Sequence, residues 1–181
     1  MGPGLADMQE PDIHVTGYIP VPPETVWEVF SDLDRWEKLD PAAGGRIPLD
    51  PGDWRPGFRV RVRLKPRRLP HFSRAFVMHT VVPARHMTWS AWAIPGLIGL
   101  EIEHTFAPTG NGTRFAFDLR RRGPLGRLML FLLGRSQYEE LVTLGRNLGR
   151  EAMELAGPGL FDGGPPSLPR PTPIEAVRQP V

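Results

Sequence analysis

Cysteine is absent from the 181-residue chain, and lysine occurs only at Lys38 and Lys65. Without cysteine the protein has no disulfide, no thiolate metal site and no thiol nucleophile. The formal net charge is only +2, so the chain lacks the strong basic field of many nucleic-acid-binding proteins. Its most apolar run, Leu128–Leu133, is far shorter than the ~20 residues that a membrane-spanning helix needs. We therefore expect no nucleic-acid partner and no stable membrane insertion.

Several signals of catalytic and targeting machinery are also missing. The chain has no HExxH, GxSxG, P-loop or strand-linked GxGxxG motif, and no histidine cluster with metal-ligand spacing. Its first residues, Met-Gly-Pro-Gly-Leu-Ala-Asp, do not combine a basic segment with an apolar one, as a secretory signal does. The sequence thus predicts a cytoplasmic protein that uses no metal ion and no organic cofactor.

Composition divides the chain into one folding unit and two arms. Residues 1–11 carry glycine, proline and acidic residues without periodicity, and residues 157–181 are rich in proline and glycine. Such segments cannot bury enough apolar surface to fold, so we expect a flexible N-terminal arm and a disordered C-terminal tail. Residues 12–156 then form a single domain, in keeping with the length of the chain.

The predicted domain starts with a short strand and two short helices. Ile13–Ile19 is β-rich, and Pro22-Pro23 then suits the first turn of a helix, where a backbone N–H has no helical partner. The apolar residues of that helix have the spacing i, i+3, i+4 and i+7: Val26, Val29, Phe30 and Leu33. Ser31-Asp32 interrupts the pattern and can cap a second short helix that carries Trp36.

The period then changes to two, as in β-strands. Phe58–Lys65 alternates apolar with charged residues, which predicts a strand that is buried on one face. Four further strand-like runs follow: Phe72–Val82, His86–Trp92, Ile98–Phe106 and Phe115–Arg120. Asn111-Gly112 marks a hairpin turn between the last two. From Leu125 the helical spacing returns and continues to about Ala156, with a kink expected at Gly134.

A run of strands followed by one long helix is typical of an α+β layer, in which the helix covers the apolar face of the sheet. The order and spacing of the segments also resemble the START-related helix-grip (SRPBCC) superfamily, and within it the polyketide cyclase/dehydrase-like group. The resemblance spans residues 12–156 and rests on Ile19–Trp36, Val82–Trp89, Glu103–Phe106 with Gly112–Arg114, and Gly123–Gly126. It implies a helix-grip fold: a curved antiparallel sheet of about six to seven strands wrapped around a long C-terminal helix, with two short helices after the first strand.

The resemblance implies a cavity between sheet and helix, and the residue pattern predicts what lines it. Small-molecule pockets are walls of aromatic and apolar side chains with a few polar groups. By strand alternation and helical spacing, the candidate ligand-binding residues are Trp36, Phe58, Phe76, Met78, Trp89, Ile102, Phe106, Phe117, Val142 and Gly145. Gly145 and Gly149 lack side-chain volume on the inward face of the last helix. We therefore expect a cavity of at least ~300 Å³ beside them.

The two candidates for a catalytic role are His104 and Tyr138. His104 is in phase with Ile102 and Phe106, and its imidazole can act as an acid or base, or donate a hydrogen bond to a ligand oxygen. The alternative is a histidine that a neighbouring side chain satisfies structurally. Tyr138 can orient a ligand oxygen, or pack with its hydroxyl in water. Arg74, if it points inward, can hold an acidic group of a ligand; the alternative is a solvated arginine.

Two interpretations of function remain open. The first is a protein that binds a small hydrophobic molecule, polyketide-like or polycyclic, and that, if it is an enzyme, cyclises, dehydrates or aromatises it without a cofactor. The second is a non-catalytic lipid or quinone carrier that docks to a membrane or protein partner through its basic strands. The fold does not separate them, because it hosts both.

The arginine-rich faces of Phe58–Lys65 and Arg120–Arg122 are more typical of solvated sheet surfaces than of a nucleic-acid site. We expect a monomer or homodimer.

Overall fold

The structure is a computed structural model that describes residues 10–41, 46–64 and 72–157. The predicted arms, 1–11 and 157–181, lie almost wholly outside these ranges and stay predictions. Lys65, the last residue of one predicted strand, also lies outside them.

The described residues form the predicted elements in the predicted order, together with one further strand. After β1 (Ile13–Ile19) come α1 (Pro23–Ser31), a 3₁₀ turn (Leu33–Arg35) and α2 (Trp36–Leu39). The remaining elements are β2 (Arg46–Pro48), β3 (Arg59–Leu64), β4 (Phe72–Val82), β5 (His86–Ile94), β6 (Ile98–Thr109), β7 (Gly112–Arg122) and α3 (Gly126–Ala156). The further strand is β2, which escaped prediction because three residues are too few to show alternation.

The strands form one open sheet of seven, in the order β1-β7-β6-β5-β4-β3-β2, and all neighbours are antiparallel. Strands β2 to β7 each pair with the next along the chain, whereas β1 crosses over to pair with β7. The long helix α3 packs mainly on β1 and β7 and against α1 and α2. This architecture confirms the α+β helix-grip fold that the sequence predicts.

Local sequence explains how the first helices place an aromatic side chain in the core. Pro23 lies in the first turn of α1, and the Asp32 carboxylate caps the 3₁₀ turn by accepting a hydrogen bond from the Asp34 N–H at 3.0 Å. Trp36 follows and is buried, and its indole N–H donates to the Phe30 carbonyl at 2.7 Å. The cap and this bond together fix Trp36 in the interior.

Two local details differ from the sequence-based expectation. The turn between β6 and β7 is Gly110-Asn111, one residue earlier than the predicted Asn111-Gly112. Gly112 is needed for a different reason, because a Cβ there would collide with the carbonyl oxygen of Ile19 on the neighbouring strand. In addition, α3 is one helix that continues through Gly134.

The outer face of the sheet is charged, and the charges of β6 and β7 form ion pairs. Glu103 accepts a hydrogen bond from Arg120 at 2.7 Å and lies 3.0 Å from His86, while Arg122 donates to Glu101 at 3.0 Å. The acidic residues of β6 thus pair with arginines of β7. Partly exposed pairs of this kind contribute only about 0–1 kcal/mol each, so the fold depends on the inner face instead.

Candidate ligand-binding interior

Aromatic rings from the helices and the sheet meet in one cluster under the inner face. The ring centroid of Trp89 on β5 lies 5.8 Å from that of Trp36 and 5.1 Å from that of Phe76. Phe30 of α1 lies 4.8 Å from Trp36 and 5.2 Å from Phe106. These separations are typical of rings in favourable contact. The rings therefore form a continuous network that links α1 and α2 to the central strands.

His104 is a polar residue inside this cluster. It is completely buried on β6, and its ring lies 4.9 Å from Phe30 and 4.8 Å from Phe117. The indole N–H of Trp89 donates to Nε2 of His104 at 3.1 Å. Nδ1 has no hydrogen-bond partner in the part of the chain that the structure describes. Because Nε2 accepts, the neutral ring carries its proton on Nδ1, which is a donor without an acceptor.

Burial also decides the charge of His104. Loss of hydration, reinforced by the positive charges of Arg46 and His86, lowers the pKa of His104 from 6.5 to about 3. The imidazole is therefore neutral at physiological pH. A general acid or base works best with a pKa near the ambient pH and with its proton or lone pair free. With its lone pair bonded to Trp89, His104 fits a hydrogen-bond donor better than a proton-transfer group.

Arg46 is a second buried polar residue, and the sequence analysis did not identify it. Its side chain is only 5% exposed, and its guanidinium carbon lies 3.5 Å from the ring centroid of Trp36 and 4.8 Å from that of Trp89. One Nη contacts the Asp40 carboxylate at 3.4 Å, and Nε has no partner among the described residues. No sequence signal marks Arg46, because β2 is too short to show which of its side chains face inward.

The interior therefore has a charged end, where α2, β2 and α3 meet. Loss of hydration lowers the pKa of Arg46 to about 9, against the opposing effect of Asp40, so the guanidinium remains charged at neutral pH. Burial and the negative charge of Asp40 raise the pKa of Glu140 on α3. Asn147, also on α3, donates to the Leu39 carbonyl at 3.1 Å and ties the long helix to α2.

Most of the predicted ligand-binding residues lie in this interior. The buried ones are Trp36, Phe58, Phe76, Met78, Trp89, Phe106 and Phe117. Ile102, Val142 and Tyr138 are half-buried and pack against the same core. Arg74 shares the inner face of β4 but is half-buried, and it donates to the carbonyl of its neighbour Ser73 at 2.9 Å. Tyr138 is not among the described hydrogen-bond partners of His104. The ligand contacts assigned to all these residues stay predictions.

The space that we expected beside Gly145 is filled. A Cβ at Gly145 would lie 2.6 Å from Cζ of Phe115 on β7. Gly17, opposite Phe115 in the sheet, meets the same ring, since a Cβ there would lie 2.5 Å from Cζ. A Cβ at Gly149 would make an ordinary contact, 3.5 Å from Ile19. Contrary to the prediction, Gly145 therefore does not open a cavity: its missing side chain lets the Phe115 ring approach the helix. We call Gly17, Phe115 and Gly145 the glycine seam.

A surface cleft of about 280 Å³ lies beside the cluster. Its lining residues are Ser31, Asp32, Leu33, Asp34, Pro48, Gly52, Asp53, Trp54 and Phe58. Trp54, in the connection from β2 to β3, is half-buried, and its indole N–H donates to the Ser31 carbonyl at 2.7 Å. The Trp54 ring also lies 6.3 Å from that of Trp89. Trp54 and the buried Phe58 thus line the cleft and also belong to the ring network of the interior.

Two other kinds of site are not found within residues 10–41, 46–64 and 72–157. No group of three or more histidine, aspartate or glutamate side chains there is arranged to hold a metal ion. None of the helices in these ranges combines the length and apolarity of a membrane span.

Comparison with known protein families identifies the family to which the chain belongs. The sequence matches the family model described as "Polyketide cyclase / dehydrase and lipid transport" over residues 10–147. The chain belongs to this family. The match covers every described strand and much of α3, and it confirms the resemblance to the helix-grip superfamily. No curated protein matches the sequence.

Solved structures share the fold of this family member at low sequence identity. StfQ, a di-domain ARO/CYC from the steffimycin biosynthetic pathway, gives a TM-score of 0.65 at 13% identity over 80% of this chain and 51% of that one. The protein TTHA0849 from Thermus thermophilus gives 0.64 at 18% identity, over 80% and 99% of the two chains. Ara h 8.0201 gives 0.61 at 13% identity, over 78% and 97%. Likeness at such identities shows the fold alone.

Proposed function

We propose that this family member binds a small hydrophobic molecule, polyketide-like or polycyclic, among the aromatic rings of its interior. The observation that carries the proposal is the Nδ1–H of completely buried His104, which has no acceptor among the described residues. A buried donor without an acceptor costs about 1–3 kcal/mol, and native proteins keep few of them. A carbonyl or hydroxyl oxygen of the ligand supplies the missing acceptor.

The surroundings of His104 favour a flat, apolar ligand. Trp89 holds the imidazole through Nε2, so the Nδ1–H has a fixed direction. Trp36, Phe106 and Phe117 present rigid rings that lose little entropy when they contact a planar molecule. Entry from the cleft requires Trp54 and Phe58 to shift, because both rings line it and Trp54 lies 6.3 Å from Trp89.

If the ligand is also a substrate, His104 acts as an electrophile. A neutral imidazole that donates to a carbonyl stabilises the negative charge that develops on the oxygen when a proton leaves the adjacent carbon. Cyclisation and dehydration of β-carbonyl compounds pass through such enolates. The role proposed for His104 is therefore to orient and polarise a ligand oxygen.

Binding of the carbonyl-bearing fluorophore prodan tests the proposal. Prodan should bind the wild-type protein, with an emission that is red-shifted by a hydrogen bond from His104. His104→Phe should shift the bound emission to the blue and weaken prodan binding by about tenfold, the equivalent of one lost hydrogen bond. N-phenyl-1-naphthylamine, which has no carbonyl, should bind both forms within about twofold.

His79→Gln is the matched control, because His79 is an exposed histidine on the same sheet. It should leave the binding of both fluorophores unchanged. A wild-type protein that binds neither of the two fluorophores contradicts the proposal. So does an unchanged prodan emission in a folded His104→Phe, which would indicate that a buried water satisfies the imidazole. Native mass spectrometry of the purified protein should show a bound small molecule.

A separate observation favours the second candidate function, a lipid or quinone carrier that docks to a membrane. Ile94, the last residue of β5, and Leu97 in the β5–β6 turn are 46% and 44% exposed, and Leu125 and Leu128 at the start of α3 are 40% and 51% exposed. The two segments touch, since the Leu125 N–H donates to the Leu97 carbonyl at 3.3 Å. Clustered exposed apolar side chains of this kind mark interaction surfaces.

Flotation with vesicles of phosphatidylcholine and phosphatidylglycerol tests this second function. The wild-type protein should float with the vesicles, and the Leu97→Asp/Leu128→Asp double variant should not. Val82→Asp is the control, because Val82 is 46% exposed and is the last residue of β4, at the opposite end of β5 from the β5–β6 turn. A wild-type protein that stays at the bottom of the gradient rules out membrane docking and leaves the prodan result unaffected.

A further inference from the structure

We propose that Arg46 anchors an acidic group of the ligand, so that the molecule bound is a hydrophobic acid: a carboxylate, or an acidic enol or phenol. This inference rests on the proposed function and names the chemical class of its ligand. It assigns to the α2–β2 end of the interior a binding site for an anion.

The geometry around Arg46 is that of a buried cation with unused hydrogen-bonding capacity. The side chain is 5% exposed, and the guanidinium lies against the Trp36 ring, 3.5 Å from its centroid. A cation–π contact offsets part of the cost of burying the charge, but it accepts no hydrogen bond in the guanidinium plane. Nε has no partner among the described residues.

The contact between Arg46 and the Asp40 carboxylate leaves this capacity open. The exposed pair Arg59–Asp50 shows what a full ion pair looks like in this protein: Nε and Nη2 donate to both carboxylate oxygens at 2.7 to 3.3 Å. Asp40 instead reaches one Nη of Arg46 at 3.4 Å and none of its oxygens bonds to Nε. The better-formed ion pair is thus the exposed one, although exposed ion pairs contribute little to stability. In the interior, the Nε–H of Arg46 therefore remains for an acceptor other than the described residues.

An anionic acceptor suits Arg46 better than a neutral acceptor does. Charge-assisted hydrogen bonds are about twice as strong as neutral ones, and a buried charge that lacks full compensation is costly. Arg46 and His104 also flank one side chain, since Trp89 donates to His104 and lies 4.8 Å from the guanidinium carbon. A ligand that packs on Trp89 therefore presents a neutral oxygen to His104 and an acidic oxygen to Arg46.

A pair of fluorophores that differ by one acidic group tests the inference. 1-Anilinonaphthalene-8-sulfonate is N-phenyl-1-naphthylamine with a sulfonate added, and the sulfonate stands in for the acidic group of the ligand. Arg46→Gln should weaken binding of the sulfonate by about tenfold or more while the neutral compound binds within about twofold of wild type. Arg46→Lys should retain most of the affinity for the sulfonate, because it keeps the charge.

The matched control is Arg61→Gln. Arg61 is an exposed arginine on β3, one strand from Arg46, and its loss should change neither affinity. An Arg46→Gln variant that binds the sulfonate as wild type does, or that loses both compounds equally, overturns the inference. If the wild-type protein binds neither compound, the proposed function itself fails; neutral binding that persists without a role for Arg46 overturns the inference alone.

A crystal structure of the wild-type protein with the sulfonate compound decides the matter even if Arg46→Gln does not fold. A sulfonate oxygen within hydrogen-bond distance of Arg46 Nε supports the anchor. A sulfonate bound at any other group overturns it.

Discussion

The glycine seam and the surroundings of Trp89 are both buried under the sheet, yet they are built in opposite ways. In the seam, the Phe115 ring fills the space that two glycines leave, and only apolar groups meet. Around Trp89, His104 and Arg46 each bury an N–H that has no described acceptor. Close packing stabilises the first region, whereas the second carries a cost that the fold alone does not explain. Buried hydrogen-bond donors that lack an acceptor are expected at functional sites, where local rules of stability are broken.

The largest expected effect is at the seam. If Gly145 faced a cavity, Gly145→Leu would fold normally and displace a ligand. Because the Phe115 ring fills that space, we expect Gly145→Leu to destabilise the fold instead. The Phe115 ring cannot retreat, because Gly17 touches it as well. Overpacking should therefore cost about 3 kcal/mol or more in urea denaturation.

Gly149→Ala is the matched control on the same helix face. A Cβ there makes an ordinary contact at 3.5 Å, so the free energy of unfolding should stay unchanged or rise by up to ~1 kcal/mol through helix propensity. Equal losses at positions 145 and 149 would show that the seam has no special role.

The next effect is a pH dependence of stability that comes from His104. In the unfolded chain the imidazole binds a proton below pH 6.5, whereas in the folded protein it stays neutral down to about pH 3. The unfolded state thus binds more protons in this window, and stability falls as the pH falls from 6.5 towards 3. Between pH 6.5 and 4.5 the wild-type protein should lose about 2–3 kcal/mol more than His104→Gln. A His104→Gln curve parallel to wild type would mean that the histidine is not held neutral.

A smaller effect is the coupling between the two sides of the seam. Gly145→Ala and Phe115→Leu should each destabilise the protein, the first by collision and the second by lost packing. Combined, they should cost about 1 kcal/mol less than the sum, because the smaller leucine leaves room for the new Cβ. Strict additivity in a double-mutant cycle would separate Gly145 from Phe115.

The smallest effect on stability is expected at Arg46. Arg46→Met keeps a side chain of similar length over Trp36 and removes a buried charge. Replacing buried charges by apolar groups is often neutral or stabilising, so the free energy of unfolding should change by less than about 1 kcal/mol. A loss as large as that of Gly145→Leu would make Arg46 a structural residue and would remove the contrast between the two regions.

Sequence patterns predicted six of the seven described strands and the order of the helices. Alternation in the run from Phe58 predicts which face of β3 is buried, and the same argument places Phe76 and Met78 inward on β4. His104 is buried as its phase predicts. These predictions succeed because a strand or helix repeats its pattern over several residues, and one buried face requires that repeat.

The candidate site was predictable only in part. The aromatic lining follows from the same periodicity, but the partner of His104 does not, since Trp89 donates to it from the neighbouring strand. Arg46 left no signal because its strand is three residues long. The role of Gly145 was misread because a missing side chain means either a cavity or a close approach, and the residue that decides is Phe115 on another element.

The amino-acid sequence by itself thus determined the order of elements, the inward faces and the family, since these depend on local repeats. Tertiary structure alone decided where space remains and which buried donors lack acceptors. Both depend on side chains that meet from distant parts of the chain: Phe115 with Gly17 and Gly145, and Arg46 with Trp36 and Trp89. Packing and hydrogen-bond satisfaction are properties of such meetings, so no local pattern encodes them.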